Sequence, residues 1–458
     1  MNEFPDWVKK FRGKGIEIRN FGNHYYAYRI SSRYDSRTGR ARKITDEYLG
    51  VVTRDGIVRK KSITGIRGDY EYGNASLIYG IAEKTILPVL REIFPHMYGR
   101  ILAYSILRLI NPLPMKSVRY EYEKSYLSRV TDESMSPSSI SSMLSSLPHD
   151  SCNAVMRRLT EKGEYVLMDS TAIFSRSVNI SILVPGYNPH EIHIPQFNLM
   201  MLFSSTRTAP TFIRILPGSI KDVSTMADTV DLAGVERCVI IADKGFYSAD
   251  NVEKLRKRHL SFIIPLKRNS SIIPEAGEFA GVFMHDGKPV KYWRPVDGAY
   301  MFEDPVLRME DEKDYLERIS EGKRSRKSFM ADSENFGRIC LLSDLDENPG
   351  RIYRLYKQRE YVECVFNVFK NDLEADRSYL RDGGMLFTYM FLNLLSLYLH
   401  FQILNMISGK YSVRDVLLIL SRIRIYDLGK QEILGEIPKK AKELVSDLSV
   451  NLDILRKK

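Results

Sequence analysis

The sequence has 458 residues, a length that allows two or three domains with a sizeable core. Its composition, 44% hydrophobic and 27% charged residues, is that of a globular protein and excludes an intrinsically disordered chain. The net charge of +11 favours a polyanionic partner, with nucleic acid first and an anionic membrane surface second.

The cysteines predict neither a disulfide framework nor a zinc site. They are far apart and form no CxxC pair, an arrangement that is consistent with the reducing cytosol. The four positions are Cys152, Cys238, Cys340 and Cys364.

Residues 1–75 are predicted to form a basic, β-rich region. Residues 16–30 (IEIRNFGNHYYAYRI) are rich in the aromatic and β-branched residues that favour strands. Residues 1–70 contain 16 Lys+Arg and 8 Asp+Glu, so 16 − 8 = 8 of the 11 net positive charges lie there. A solvated basic face has the same composition, and charge alone does not distinguish it from a binding surface.

Residues 76–150 are predicted to be helical, and a helical DNA-binding segment would fit here. The serine-rich stretch 136–148 resembles a linker. However, its apolar residues recur at the i, i+3, i+4, i+7 spacing of an amphipathic helix, which is the better interpretation. These residues are Ile140, Met143, Leu144 and Leu147.

The middle of the chain predicts a mixed α/β sheet. Three strands with short links suggest an antiparallel meander, and the helical crossovers that follow suggest parallel additions. The predicted strands are 165–170, 197–203, 211–216, 237–243 and 261–266, with helices at about 222–233 and 248–258. We therefore divide the rest of the chain into a first core part (151–267), a β-rich insertion (268–337), a second core part (338–410) and a C-terminal helical region (411–458).

The stretch 356–370 (YKQREYVECVFNVFK) predicts a helix with one polar stripe. At 100° per residue, four polar side chains fall within an arc of about 60°, and valines and phenylalanines occupy much of the remainder. The four are Tyr356, Arg359, Glu363 and Lys370. An ordinary amphipathic helix with an Arg359–Glu363 pair at i, i+4 explains the same stripe, so partners from elsewhere are needed to indicate a site.

Two aspartates supply candidate partners. Asp169 and Asp243 are each predicted to end an apolar strand, a position where site residues are common. If these two strands are neighbours, the aspartates come together, and Glu363 completes a cluster of three carboxylates. Crowded carboxylates need a cation, and oxygen ligands select Mg²⁺ or Mn²⁺ over zinc. Two such ions support phosphodiester chemistry, with Arg359 and Lys370 on phosphates and Tyr356 as a hydroxyl donor.

The spacing Tyr356-x2-Arg359-x3-Glu363-x6-Lys370 resembles the YREK signature of DDE transposases of the insertion-sequence-four family. Asp169 in DST and Asp243 in DKGFY are similar to the first and second acidic positions of that family. The resemblance covers roughly residues 160–410. It implies an RNase H-like core interrupted by a β-rich insertion, with Asp169, Asp243 and Glu363 as catalytic metal ligands.

The resemblance also implies a mechanism and partners. A dimer would synapse two terminal inverted repeats, cut each with two Mg²⁺ or Mn²⁺ ions, and transfer the 3′-hydroxyls to target DNA. Hairpin ends are one route of cleavage that the resemblance implies. Lys244 and Arg268 are candidate phosphate contacts, and Trp293 is a candidate platform for a flipped base, although burial in the insertion is the commoner role of such a residue. The expected location is the prokaryotic cytoplasm, at the nucleoid.

Three alternatives remain open at this stage. They are a metal-dependent nuclease without strand transfer, a non-catalytic DNA-binding derivative of a transposase, and a membrane-associated basic protein. The last rests on residues 385–407, which have no formal charge over 23 residues. Their polar side chains are costly in lipid, so a buried core helix is the expectation, with no membrane partner.

Overall fold

The computed structural model describes residues 4–456, apart from a set of short internal segments. These are residues 23, 36–37, 60–65, 161–164, 176, 178, 187–193, 220–224, 236–237, 269, 274–276, 374–376, 379, 381, 408 and 430. The chain divides into two compact units, the first comprising Met1–Gly68 with Asp427–Gln431 and the second comprising Asp69–Tyr426 with Glu432–Lys458.

The first unit is an antiparallel sheet packed against a short helix, in the region where the sequence predicts strands. Its elements are α1 (Asp6–Lys9), β1 (Ile16–Phe21), β2 (His24–Asp35), β3 (Arg40–Thr53) and β4 (Gly56–Val58), and the sheet order is β1–β2–β3–β4. Its small core is formed by Val8, Ile18, Ala27 and Val52. The unit ends at Gly68, somewhat before the predicted boundary at residue 75.

Strand β5 and a run of helices follow. They are β5 (Gly68–Glu71), α2 (Gly73–Lys84), α3 (Ile86–Ile93), α4 (Tyr98–Ile110), α5 (Met115–Lys124), α6 (Leu127–Thr131), α7 (Pro137–Ser146) and α8 (His149–Leu159). The serine-rich stretch is helix α7, which begins where Ser136 Oγ accepts a hydrogen bond from the Ser139 amide (3.2 Å). These helices share one hydrophobic core with the central sheet. The predicted helical segment is therefore not a separate domain.

The central sheet has the predicted mixed topology. Its first elements are β6 (Tyr165–Ser175), β7 (Gln196–Ser204), β8 (Ala209–Pro217), α9 (Met226–Ala233), β9 (Val239–Ala242), α10 (Ala249–Lys257) and β10 (Ser261–Pro265). β6, β7 and β8 form an antiparallel meander; β9 then pairs parallel with β6, and β10 pairs parallel with β9. β6 and β9, which carry or precede the two candidate aspartates, are thus neighbours.

The region predicted as an insertion extends this same sheet. It contains β11 (Gly281–His285), β12 (Lys288–Tyr292), β13 (Ala299–Glu303), α11 (Pro305–Ser320) and α12 (Arg326–Asp332), and β14 (Arg338–Ser343) follows. β14 pairs with β10, and the order continues through β13 and β12 to β11. The insertion is therefore not a β domain of its own: its strands cover the open edge of the core sheet, and α11 and α12 make much of it helical.

The second core part begins with β14 and continues with α13 (Pro349–Lys357), α14 (Glu360–Asn367) and a π-helical turn (Val368–Asp372). It also includes β15 (Arg377–Ser378) and α15 (Gly383–Met406). The C-terminal region contains α16 (Val413–Leu420), β16 (Arg424–Asp427), β17 (Glu432–Leu434) and α17 (Lys439–Asp447). It is thus not wholly helical, since β17 and β16 form a small sheet with β5.

Helix α15 is the one described helix that is long and apolar enough to cross a membrane, but 83% of its most apolar window is buried within the protein. Its polar side chains have protein partners. Arg108 Nη2 donates to Asn393 Oδ1 (3.0 Å), and Ser396 Oγ donates to the Ser105 carbonyl (2.9 Å). Protein atoms therefore cover the surface on which the membrane alternative rested, as the sequence analysis expects for a core helix.

Candidate active site

Two adjacent strands place Asp169 and Asp243 side by side. Met168 of β6 pairs with Ala242 of β9 in parallel register, and the two aspartates are the next residue on each strand. Asp243 follows the last residue of β9, as predicted. Asp169 does not end its strand, because β6 continues to Ser175 through further pairing with β7. It lies instead beside the point where the shorter β9 ends.

The third carboxylate comes from a helical segment that is less regular than predicted. Tyr356 lies in α13, Arg359 immediately precedes α14, and Lys370 lies in the π-helical turn. Between the two helices the backbone forms tighter i to i+3 hydrogen bonds, including Val362 N to the Arg359 carbonyl (2.9 Å). The expectation of one regular helix is wrong. The arc calculated at 100° per residue therefore does not include Lys370, which lies in the π-helical turn. The predicted apolar face is buried: Val362, Val365, Phe366, Val368 and Phe369.

Arg359 gathers the three carboxylates. Its Nη1 lies 3.3 Å from Asp169 Oδ2, and its Nη2 lies 3.1 Å from Glu363 Oε1 and 3.9 Å from Asp243 Oδ1. The Arg359 and Asp169 side chains are 18% and 17% exposed, whereas that of Glu363 is 61% exposed. One guanidinium therefore provides the positive charge for all three acidic groups, and Glu363 closes the cluster from the solvent side.

Burial and repulsion by the neighbouring acids raise the pKa of Asp169, the least exposed of the three carboxylates. The pKa of Asp169 is raised to about 6, chiefly by burial; the charges of Asp243 and Glu363 contribute to this increase, and the Ser170 amide and Arg359 oppose it. Burial would by itself lower the pKa of Arg359. The surrounding charges, Asp243 first, outweigh that effect and raise its pKa, so the guanidinium stays charged.

The donor set suits a divalent cation in its chemistry. Three carboxylates are the hard oxygen ligands that Mg²⁺ and Mn²⁺ prefer, and here they already surround one positive group. In their present positions, no three acidic, histidine or cysteine side chains within the described residues are close enough together to hold a metal ion. The guanidinium separates the carboxylates, so a cation would have to replace it.

The remaining predicted polar residues lie at different depths around this cluster. Tyr356 is half-buried; burial raises the pKa of its hydroxyl, with Asp243 and Glu363 adding to the effect and Arg359 opposing it. Lys370 is partly exposed in the π-helical turn, and Lys244 is exposed in the 3₁₀ turn directly after Asp243. Arg268 forms an ion pair with Asp311 of α11, so its charge is already neutralised within the protein.

The structure does not bring Trp293 to the carboxylates. This residue follows β12, four strand spacings from β9 in the sheet, or roughly 19 Å at 4.8 Å per spacing. Its side chain is buried, and Nε1 donates to the Gly277 carbonyl (2.8 Å). The base-stacking interpretation thus has no support from its position, and the alternative of burial within the insertion accounts for it.

The sequence did not indicate that Arg359 contacts all three carboxylates. It was expected to contact phosphates, and its i, i+4 spacing to Glu363 signalled only one of its three acidic neighbours. Asp169 is 190 residues away in the chain, so only the fold reveals that the same guanidinium reaches it.

Comparison with known proteins identifies the family of the chain. The family model described as "Transposase DDE domain" matches residues 156–399, a range that includes the three carboxylates and Arg359. No curated protein matches the chain. Among solved structures, a cryo-EM structure of the piggyBac transposase synaptic complex with hairpin DNA is similar at 12% identity and a TM-score of 0.40, over 84% of this chain and 81% of that one. Because the family model covers more than half of its residues, the chain belongs to the transposase DDE domain family.

Proposed function

We propose that this transposase cuts DNA at the ends of a mobile element and joins those ends to a target, with Asp169, Asp243 and Glu363 as its catalytic residues. The observation that carries the proposal is the convergence of these three carboxylates on Arg359, all within 3.9 Å of its guanidinium. The carboxylates of Asp169 on β6, Asp243 directly after β9 and Glu363 on α14 meet beside the point where β9 ends.

We further propose that the core is RNase H-like and that the protein is of the insertion-sequence-four type. The order β8–β7–β6–β9–β10 supports the first point, since a three-stranded meander is followed by two parallel strands joined by helices. The Tyr356, Arg359, Glu363 and Lys370 spacing supports the second.

The cofactor we propose is a pair of Mg²⁺ or Mn²⁺ ions. When bound, such ions activate the attacking water or 3′-hydroxyl and stabilise the leaving oxygen. Asp169, Asp243 and Glu363 would hold them. Asp169 is fixed by its strand and by the Ser170 amide, which donates to its Oδ1 (2.8 Å). Glu363, the most exposed of the three, has the most freedom to adjust.

The basic side chains of the segment would then act on the DNA. Once Arg359 leaves the carboxylates, its guanidinium is available to a phosphate, to which it binds through paired N–H donors. Lys370 and Lys244 would contribute charge, and the protonated Tyr356 hydroxyl would contribute a hydrogen bond. The proposed partners are terminal inverted repeats and target DNA, bound by a homodimer in the prokaryotic cytoplasm at the nucleoid.

The proposal is tested by incubating purified protein and Mg²⁺ with a DNA fragment that carries the inverted repeats flanking its gene, together with a target plasmid. Wild type is expected to release 3′-hydroxyl ends and to give joined products. Glu363→Gln is expected to give neither. Glu360→Gln is the matched control, because Glu360 is an exposed carboxylate of the same helix whose side chain pairs with Lys357 (3.2 Å).

The outcome separates the possible activities. Cleavage without joined products would support a nuclease rather than a transposase, and a hairpin at the released end would establish that route of cleavage. If wild type does not cut in Mg²⁺ or Mn²⁺, a non-catalytic DNA-binding role replaces the proposal. Normal cutting by Glu363→Gln would show that the assigned site is wrong.

A further inference from the structure

The first unit carries a ribbon of two strands that extends beyond its sheet. β1 pairs with β2 only as far as Arg29, and β4 pairs with β3 only at Val51–Thr53. Residues 31–35 and 40–44, here called the basic ribbon, pair with each other from Ser31↔Ile44 to Asp35↔Arg40. Five residues of strand span about 17 Å at 3.4 Å per residue. Asp35 and Ile44 are partly exposed, and the other side chains of the ribbon are exposed.

The charges of the basic ribbon differ from those at its base. Within the ribbon, four Lys+Arg accompany one Asp, and one of the four, Lys43, pairs with Glu17 of β1 (2.6 Å). At the base, Arg29 and Arg59 lie 3.8 Å and 2.8 Å from Glu47. Neither Arg33 nor Arg42 forms an ion pair with any residue that the structure describes.

Arg33 and Arg42 are moreover directly opposite each other across the two strands. Cross-strand partners point to the same face of a ribbon, and like charges in this position are destabilising. Arg40 lies two residues from Arg42 and so shares that face, as does Asp35, the cross-strand partner of Arg40. A two-stranded ribbon is at best marginally stable in water by itself, so this arrangement weakens an element that already has few stabilising contacts. A polyanion placed along the face would turn the repulsion into attraction.

We propose that the basic ribbon inserts into the major groove of duplex DNA, with the Arg33, Arg40 and Arg42 face against it. A two-stranded ribbon fits this groove, which is about 12 Å wide, and arginine binds both phosphates and guanine edges. An anionic membrane is the poorer partner: Tyr34 is the only large exposed apolar side chain among the ribbon residues, and a membrane-binding surface needs an apolar face. The inference takes from the proposed function only that the partner is DNA.

The test uses full-length protein in EDTA, so that cleavage takes no part. Fluorescence anisotropy measures binding to a 30-base-pair duplex over a range of salt concentrations. Arg33→Gln/Arg42→Gln is expected to weaken binding at least tenfold and to reduce the slope of log K against log salt by about 1.8, or 0.9 per lost phosphate contact. Arg29→Gln/Arg59→Gln removes the same charge from the same unit and is expected to bind within about threefold of wild type, because those arginines are paired with Glu47.

Further measurements test whether the variants fold and which groove of the DNA the protein occupies. Arg33→Lys/Arg42→Lys keeps the charge and is expected to retain most of the affinity. The Gln variant is expected to melt no lower than wild type, since it relieves repulsion. Methyl green, a major-groove ligand, should displace the protein, whereas netropsin, a minor-groove ligand, should not.

Equal losses in the two Gln variants would overturn the inference, because net charge rather than the ribbon would then control binding. So would unchanged binding by Arg33→Gln/Arg42→Gln, displacement by netropsin alone, or ribbon-dependent binding to phosphatidylserine vesicles in place of DNA. These outcomes are distinguishable from failure of the proposed function: a protein that binds through its ribbon but never cuts refutes the function alone, and one that cuts normally without using the ribbon refutes the inference alone.

Discussion

Arginines are used in two opposite ways in the two units of this protein. Arg359 is 18% exposed and has three carboxylates within 3.9 Å. Arg33 and Arg42 are exposed, face each other, and have no acidic partner among the described residues. Removing charge from water is costly, so a buried cluster must be neutralised within the protein, whereas exposed charges can remain unpaired until a ligand arrives.

The comparison shows what each set of charges requires from a partner. At the carboxylate cluster a new cation competes with Arg359, and binding exchanges one positive group for another. At Arg33 and Arg42 of the basic ribbon no ion pair with a described residue has to be broken, and binding of an anion relieves the repulsion between them. We therefore expect substitutions at the first site to act on catalysis and folding, and substitutions at the second to act on DNA affinity.

The largest expected effect is the loss of catalysis when a carboxylate of the cluster is neutralised. Asp243→Asn should reduce the rate of Mg²⁺-dependent cleavage at least about a thousandfold, which corresponds to about 4 kcal/mol in the barrier, because it removes charge where the cations are proposed to bind. Single-turnover cleavage assays measure this rate. Asp250→Asn, at an exposed aspartate of the following helix that pairs with Lys254, should cut at the wild-type rate. Equal rates for the two variants would rule out the cluster as the catalytic centre.

The second effect tests whether Arg359 is the countercharge of the cluster. Arg359→Ala should lower the free energy of unfolding in EDTA by about 2 kcal/mol, less than for a fully buried pair because Glu363 is largely exposed. Urea denaturation measures this change. Arg351→Ala, at an exposed arginine on α13 that lies 3.5 Å from Glu347, should cost less than about 0.5 kcal/mol.

The same variant should respond more strongly to metal. With the guanidinium absent, Mg²⁺ no longer has a competitor, and its binding should raise the melting temperature of Arg359→Ala more than that of wild type. A smaller or equal shift in the variant would mean that Arg359 does not occupy the position of the cation.

The third effect is a dependence of stability on pH through Asp169. Its folded pKa of about 6 lies above its ordinary value near 4, so the group stabilises the fold below about pH 4, and this contribution is lost as pH rises through 6. In EDTA, the free energy of unfolding of wild type relative to Asp169→Asn should fall by up to about 3 kcal/mol between pH 4 and 6.5. A flat difference would contradict the buried, crowded setting of Asp169.

The comparison with the variant is necessary because His400 titrates in the opposite direction. Burial in α15 lowers its pKa to about 4, so its contribution is present at neutral pH and is lost as pH falls from about 6.5 through 4. Denaturation curves of wild type alone would therefore mix two opposing slopes.

The sequence predicted the central sheet well because its strands are largely apolar runs, and a run such as 238–242 has few alternatives in a folded chain. The convergence of Asp169, Asp243 and Glu363 was expected from the sequence only on the condition that two strands are neighbours, and the pairing of β6 with β9 supplies that condition. The length of β6 could not be read in the same way. Residues 171–175 are partly polar, and they stay in the strand because β7 continues to pair with residues 171–174 and β15 pairs with residues 174–175.

Other features depended on contacts between segments that are distant in the chain. Residues 268–337 lacked a clear pattern because β11, β12 and β13 are short and are stabilised by joining β14 at the edge of the core sheet. The role of Arg359 depends on Asp169 and Asp243, which no local spacing connects to it. The basic ribbon is visible in the sequence only as a charge excess, because strand register alone places Arg33 opposite Arg42.

The smallest expected effect is on the stability of the basic ribbon in the absence of DNA, and it is opposite in sign to the effect at Arg359. Arg42→Thr should raise the free energy of unfolding of the first unit by about 0.5 kcal/mol, because it removes the like-charge pair with Arg33 and places a β-branched residue in an exposed strand. Hydrogen exchange of the amides of residues 31–35 and 40–44 measures this locally and should slow. Adding duplex DNA should slow exchange in wild type more than in Arg42→Thr, since only wild type exchanges a repulsive pair for two attractive contacts. Faster exchange in the free variant would show that the two arginines stabilise the ribbon. The contrast between the neutralised carboxylate cluster and the unpaired arginines of the ribbon would then be wrong.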